Sequence, residues 1–141
     1  VAETVSHRKL THDGALAALR GAIEKAAEMA VPQCIAVVDE GGNLMAFVRM
    51  SGAKFLSIQT AQHKAITAAD RRVPTGGIDP GHELKLSLVT GGRLTNLKGG
   101  LPIVIEGDVV GGIGVSSGTG DEDLEVAAAG VAAIPGAKTA W

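Results

Sequence analysis

The sequence predicts an α/β fold of the α+β kind: an antiparallel sheet built from hairpins, with helices packed around it. Two observations carry this. Two pairs of short apolar, β-branched runs each flank a tight turn, and three longer stretches repeat their apolar residues at helical spacing. The 141 residues suit one domain, expected to span 1–141, and no linker or composition shift divides them.

The elements follow in order. Val5 to Leu10 reads as a short strand. Thr11 stands where a helix N-cap belongs, its hydroxyl able to accept an orphan backbone N–H. Leu16, Leu19, Ile23, Ala26 and Ala30 then fall on one helical face, and Pro32 closes the element. Gln33 to Val38 and Leu44 to Val48 form a hairpin around Asp39-Glu40-Gly41-Gly42-Asn43. Phe55 to Asp70 reads as an alanine-rich helix, with Ala61, Ala65 and Ala68 as a smooth packing stripe and Leu56, Thr60, His63 and Thr67 on a more polar one. Val73-Pro74 stops it, and Thr75 to Gly81 is a loop. His82 to Leu88 fits a short helix or a strand. Pro102 to Ile105 and Val109 to Val115 form the second hairpin, around Glu106-Gly107-Asp108. Thr119 and Glu122 have capping-box spacing, and Leu124, Ala128 and Val131 give the apolar face of a last helix before Pro135-Gly136.

Composition narrows the function. A net charge of −2 and 2% aromatic residues argue against nucleic acid, which asks for a basic face and stacking platforms. No run reaches membrane-spanning length, so no membrane partner is expected. The lone Cys34 allows no internal disulfide and suits a reducing, cytoplasmic setting, with an export signal outside this sequence left open. Cys34 itself reads as a small buried hydrophobe. Twenty glycines exceed the usual share of about 7% and point to tight turns or close backbone contacts.

Several motifs in this order resemble the GlcG/HbpS family, also described as heme-degrading or PduO C-terminal-like. His63-Lys64-Ala65-Ile66-Thr67-Ala68 is similar to the family's Lys-Ala-x-Thr-Ala helix, with Pro74-Thr75 following. Gly99-Gly100-Leu101-Pro102-Ile103 resembles its Gly-Gly-x-Pro-Ile strand entry, and Val109 to Ser116 its glycine-rich strand. Asp121-Glu122 and the closing Ala/Val helix resemble its end. Ser117 departs from the pattern, standing where the family usually has the first of two glycines, and 75–98 looks individual. The resemblance implies an antiparallel sheet with surrounding helices, homo-oligomers, and in some members the binding or degradation of heme.

Three functional readings stay open, one of them an accessory protein with no chemistry whose alanine-rich helix serves only subunit packing. The first is a small-ligand-binding protein with heme as candidate cofactor. No Cys-x-x-Cys-His occurs, so covalent attachment is excluded, while His63, His82, Met45, Met50 and Cys34 are the axial candidates. The second is a catabolic enzyme, a hydrolase or isomerase of a small carboxylate or lactone. There His63 is the base, Lys64 or Arg93 anchors the anion, and the Gly99-Gly100 amides donate to an oxyanion. These two predict a pocket for a small anionic ligand. His63 and Lys64 supply its chemistry, Thr67, Arg93, Gly99, Gly100 and Pro102 its binding surface, with a neighbouring subunit able to complete it. No metal site is expected: Asp121, Glu122 and Asp123 are explained by the dipole of a helix N-terminus. The alanine stripe of the second helix is further read as a subunit-packing surface.

Overall fold

The computed structural model describes residues 2–141. Four helices surround one four-stranded sheet: α1 (His12–Glu28), β1 (Cys34–Asp39), β2 (Leu44–Arg49), α2 (Ser57–Arg71), α3 (Pro80–Val89), β3 (Gly100–Ile105), β4 (Asp108–Ser116) and α4 (Gly120–Ala132). The strand order is β2-β1-β4-β3, and every pairing is antiparallel. Each predicted hairpin is present, and a long connection between them sets β1 beside β4.

Alternation along β1 sorts the core into two layers. Ile35 and Val37 point to the face covered by α1 and α4, where they meet Ile103, Ile113, Val115 and Val131. Cys34, Ala36 and Val38 point to the opposite face, where α2 lies on Ala61, Ala65 and Ala69. Thr11 caps α1 by accepting from the Gly14 N–H, and Thr119 and Glu122 close a complete capping box on α4.

The alanine stripe belongs to this second layer, which corrects its reading as a subunit-packing surface. Ala61, Ala65 and Ala68 are fully buried within the protomer. The helix backbone descends onto β4 so closely that a β-carbon on Gly114 would stand 2.0 Å from the Ala61 carbonyl oxygen, and one on Gly112 2.3 Å from that of Ala65. Small residues on both partners permit that approach.

Two expectations at less regular places resolve differently. Val5 to Leu10 forms no strand. Side chains tie it down instead: Leu10 is buried in the core, and Arg8 pairs with Glu106 and Asp108. The stretch around His82 to Leu88 is helical, because Asp79 caps it and Pro80 occupies the first turn. Among the described residues, no helix is long and apolar enough to cross a membrane.

Candidate functional site

The residues predicted to share one pocket separate into two places. The first is a buried ion pair. Lys64 Nζ donates to Asp123 Oδ2 at 2.9 Å and to the Val115 carbonyl oxygen at 2.8 Å, and both charged side chains are 3% exposed. The pair joins α2 to the first turn of α4, from opposite faces of the sheet. Asp123 Oδ1 also accepts from the Gly118 N–H at 3.0 Å.

Gly99 closes over the pair with φ 127°, a region L side chains rarely adopt. A β-carbon there would lie 2.7 Å from Asp123 Cβ and 3.0 Å from Lys64 Nζ. Gly100 is equally engaged. Its N–H donates to Thr75 Oγ1 at 2.9 Å, and its carbonyl accepts from the Thr75 N–H at 3.0 Å. The Gly100 amide is therefore spent inside the fold, and so is the Lys64 ammonium. Pro102 is fully buried in β3 opposite Gly112 and faces no cleft. In the protomer these four residues build structure, which corrects the expectation that they line a ligand pocket with His63.

The second place is an open cleft of about 510 Å³ between the last two turns of α2, the β1–β2 turn, and the segment leaving α3. Thr67 and Arg93, both read from the sequence, line it together with Glu40, Gly42, Asp70 and Thr90. Thr67 Oγ1 staples the wall by donating to the Arg93 carbonyl at 3.2 Å and accepting from the Thr95 N–H at 3.0 Å. The Arg93 side chain spans the cleft toward the turn, with Nη2 3.6 Å from where a β-carbon of Gly42 would sit. Its guanidinium has no ion-pair partner among the described residues. On the opposite wall, Glu40 Oε2 is buried and accepts no hydrogen bond.

His63 stands one turn before Thr67 on the same side of α2, half-buried. Burial, and secondarily the positive charge of Arg93, hold its pKa below the ordinary histidine value. The imidazole is therefore neutral at pH 7, with a lone pair free to accept a proton or bind iron. The remaining axial candidates are scattered. Cys34 is buried in the α2 layer, where burial raises its thiol pKa against a smaller lowering by Arg49. Met45 and Met50 pack on the other layer, and His82 is exposed on α3. Among the described residues, no group of three His, Cys, Asp or Glu side chains converges as a metal site.

Sequence reasoning missed Asp123 and the acidic wall of the cleft. Asp123 had a legible signal: it lies on the same helical stripe as Val126, Ala127 and Val131, all buried. Likewise Lys64 falls within the Ala61, Ala65 and Ala68 stripe. A charge on each of two buried stripes is what an internal pair requires. Glu40 and Asp70 had no such signal, since only the tertiary approach of turn and helix makes them neighbours.

A hairpin-built sheet with α2 on one face and α1 and α4 on the other, bearing an arginine-lined cleft at its end, defines a small α+β class. The chain belongs to the HbpS-like family, whose model, described as "Haem degrading protein HbpS-like", matches residues 10–132. Protein GlcG of Escherichia coli K12 is 40% identical over 83 residues, covering 58% of this chain and 62% of GlcG. A double mutant of Streptomyces reticuli HbpS superposes with a TM-score of 0.82 at 33% identity, over 94% of this chain and 91% of that one. A PduOC:heme complex does so with a TM-score of 0.86 at 28% identity, over 95% of this chain and all of that one.

Proposed function

We propose that this protein binds a small carboxylate-bearing ligand in the α2 cleft, with heme the first candidate. The observation that carries the proposal is the Arg93 guanidinium, exposed on the cleft wall without an ionic partner. A free guanidinium offers a planar fork that matches a carboxylate bidentately. The cleft's volume lies within the roughly 300–1,000 Å³ of small-molecule sites.

The residues fit a heme in kind. Arg93 would hold a propionate, and the neutral imidazole of His63, one helical turn from Thr67 and outside the cleft lining, would be the nitrogen donor on that side of α2. Ile66, Val89 and Leu94 give the cleft an apolar lining for the ring. A bound heme would bring a redox-active iron; the chain's own part is to orient it, exclude water from one face and neutralise one propionate. Glu40 and Asp70 disfavour a second anionic group deep in the cleft, so the other propionate would face solvent. The similarity to a PduOC:heme complex supports this reading.

The enzyme alternative has no comparable support. The Gly100 amide and the Lys64 ammonium it called upon are bonded internally. Self-association accompanies the binding reading. The ten-residue α3 has no buried side chain and exposes Leu84, Leu88 and Val89. A helix this short is marginal alone, so its apolar side chains suit a second copy. Hemin titration of the wild type and of Arg93→Ala tests the site. A Soret band that saturates for the wild type and is weakened about tenfold in the variant supports it.

A further inference from the structure

A second cavity of about 510 Å³ lies at the outer edge of β3, away from the Arg93 cleft. Four separate stretches meet there: His7 of the N-terminal segment, Arg72 at the end of α2, the β3–β4 turn with Glu106 and Asp108, and the C-terminal tail with Lys138 and Trp141. The tail is fixed in place. Ile105 and Ala137 form an antiparallel bridge, and the Lys138 N–H donates to the Val104 carbonyl at 2.8 Å.

The charges of this cavity are unequally engaged. Arg8 stands against both carboxylates, reaching Asp108 at 3.1 Å and pairing with Glu106 through its other nitrogen. Arg8 thus leaves one negative charge against two cations, Arg72 and Lys138. Neither cation has an ion-pair partner among the described residues. Lys138 Nζ lies 4.1 Å from the centre of the Trp141 ring, a contact that keeps its full charge. Among the side chains the balance is thus one positive charge in excess, in a chain of net side-chain charge −2. Apolar surface lies beside the cations in Val104, Val109 and the indole.

We propose that this cavity is a second, independent site for a small carboxylate carrying a ring-sized apolar body. Arg72 and Lys138 take the carboxylate, and Trp141 and the two valines take the ring. Two cations lining one cavity beside an aromatic wall suit such a ligand better than a bare ion, which would leave the apolar wall unused.

Trp141 is the chain's sole tryptophan, so its emission reports on this cavity directly. The full protein is titrated with benzoate, with acetate as a carboxylate lacking the ring and inorganic phosphate as an anion lacking both. Calorimetry accompanies fluorescence to detect binding that leaves the emission unchanged. The expected result is saturable benzoate binding, weakened at least about tenfold for acetate and phosphate. Arg72→Ala and Lys138→Ala should each weaken benzoate by about tenfold with circular dichroism unchanged, and should do so equally on an Arg93→Ala background, which removes the anchor of the α2 cleft. Absence of saturable benzoate binding by both methods overturns the proposal. So does binding that, on the Arg93→Ala background, survives both Arg72→Ala and Lys138→Ala. Equal affinity for acetate overturns the assignment of the apolar wall.

Discussion

Lys64→Met removes a buried ammonium while keeping most of the side chain's volume. Its partner Asp123 is then left 3% exposed, with its Oδ2 deprived of the Lys64 hydrogen bond. Removing one member of a buried pair typically costs about 3–5 kcal/mol, because the other charge stays desolvated and uncompensated. For a chain of this length, that lowers Tm by roughly 10–17 °C. The Val115 carbonyl also loses its 2.8 Å donor, so the effect should fall at the upper end. Thermal unfolding by circular dichroism measures it. The double variant Lys64→Met/Asp123→Leu removes both charges together and should recover most of the loss. A Lys64→Met protein melting within about 2 °C of the wild type would refute the reasoning. So would a double variant less stable than either single one.

Four further outcomes follow from the same structure. In an NMR titration, His63 should titrate below the ordinary value of about 6.5 and move upward in Arg93→Ala, since burial and then Arg93 disfavour its charged form. Because the folded pKa is the lower one, the stability tied to His63 is complete above pH ~6.5 and is lost as pH falls through the folded value; His63→Gln should flatten that slope. Burial tends to raise the Asp39 carboxyl, but donors from Asn43 and Gly41 and the charge of Lys9 outweigh it and hold it below the usual value. Asp39 therefore stabilises the fold above pH ~3.9 and ceases to as pH falls through its folded value; Asp39→Asn should reduce the acid sensitivity seen in pH-dependent melting. Cys34 should react with a thiol reagent only on unfolding, whereas rapid modification of the native protein would contradict its burial in the α2 layer. Light scattering should give a mass well above 14.2 kDa, reduced toward it by Leu88→Asp on α3; a wild-type monomer at micromolar concentration would count against self-association through that helix.

The hairpins and the three long helices were legible because each rests on a local signal. Thr11, Pro32, Pro74 and the Thr119–Glu122 pair mark boundaries by hydrogen-bonding chemistry that needs no tertiary context. The Val5–Leu10 segment was not legible, because its apolar Val5 and Leu10 serve different ends: Leu10 plugs the core and Val5 is exposed. Arg93 and Thr67, each named from the sequence because its residue type suits an anion, line one cleft because the end of α2 meets the segment leaving α3 there. Lys64, Gly99 and Gly100 were placed beside a ligand because a lysine and a pair of glycines read the same way in a binding loop and in a sealed core. Only burial separates the two. The motifs that carry the family resemblance are, in this protomer, largely the parts that join α2, β3, β4 and α4. The cleft instead draws on the β1–β2 turn and on the segment between 75 and 98, where the chain looks individual.

The central claim is that Arg93 anchors a carboxylate-bearing ligand of the heme class, and hemin titration followed at the Soret band tests it most directly. The wild type should give a saturable band of fixed stoichiometry. Arg93→Ala should weaken binding about tenfold without changing the fold, and His63→Ala should shift the band's position. No saturable band, or identical titrations for the wild type and both variants, would contradict the account.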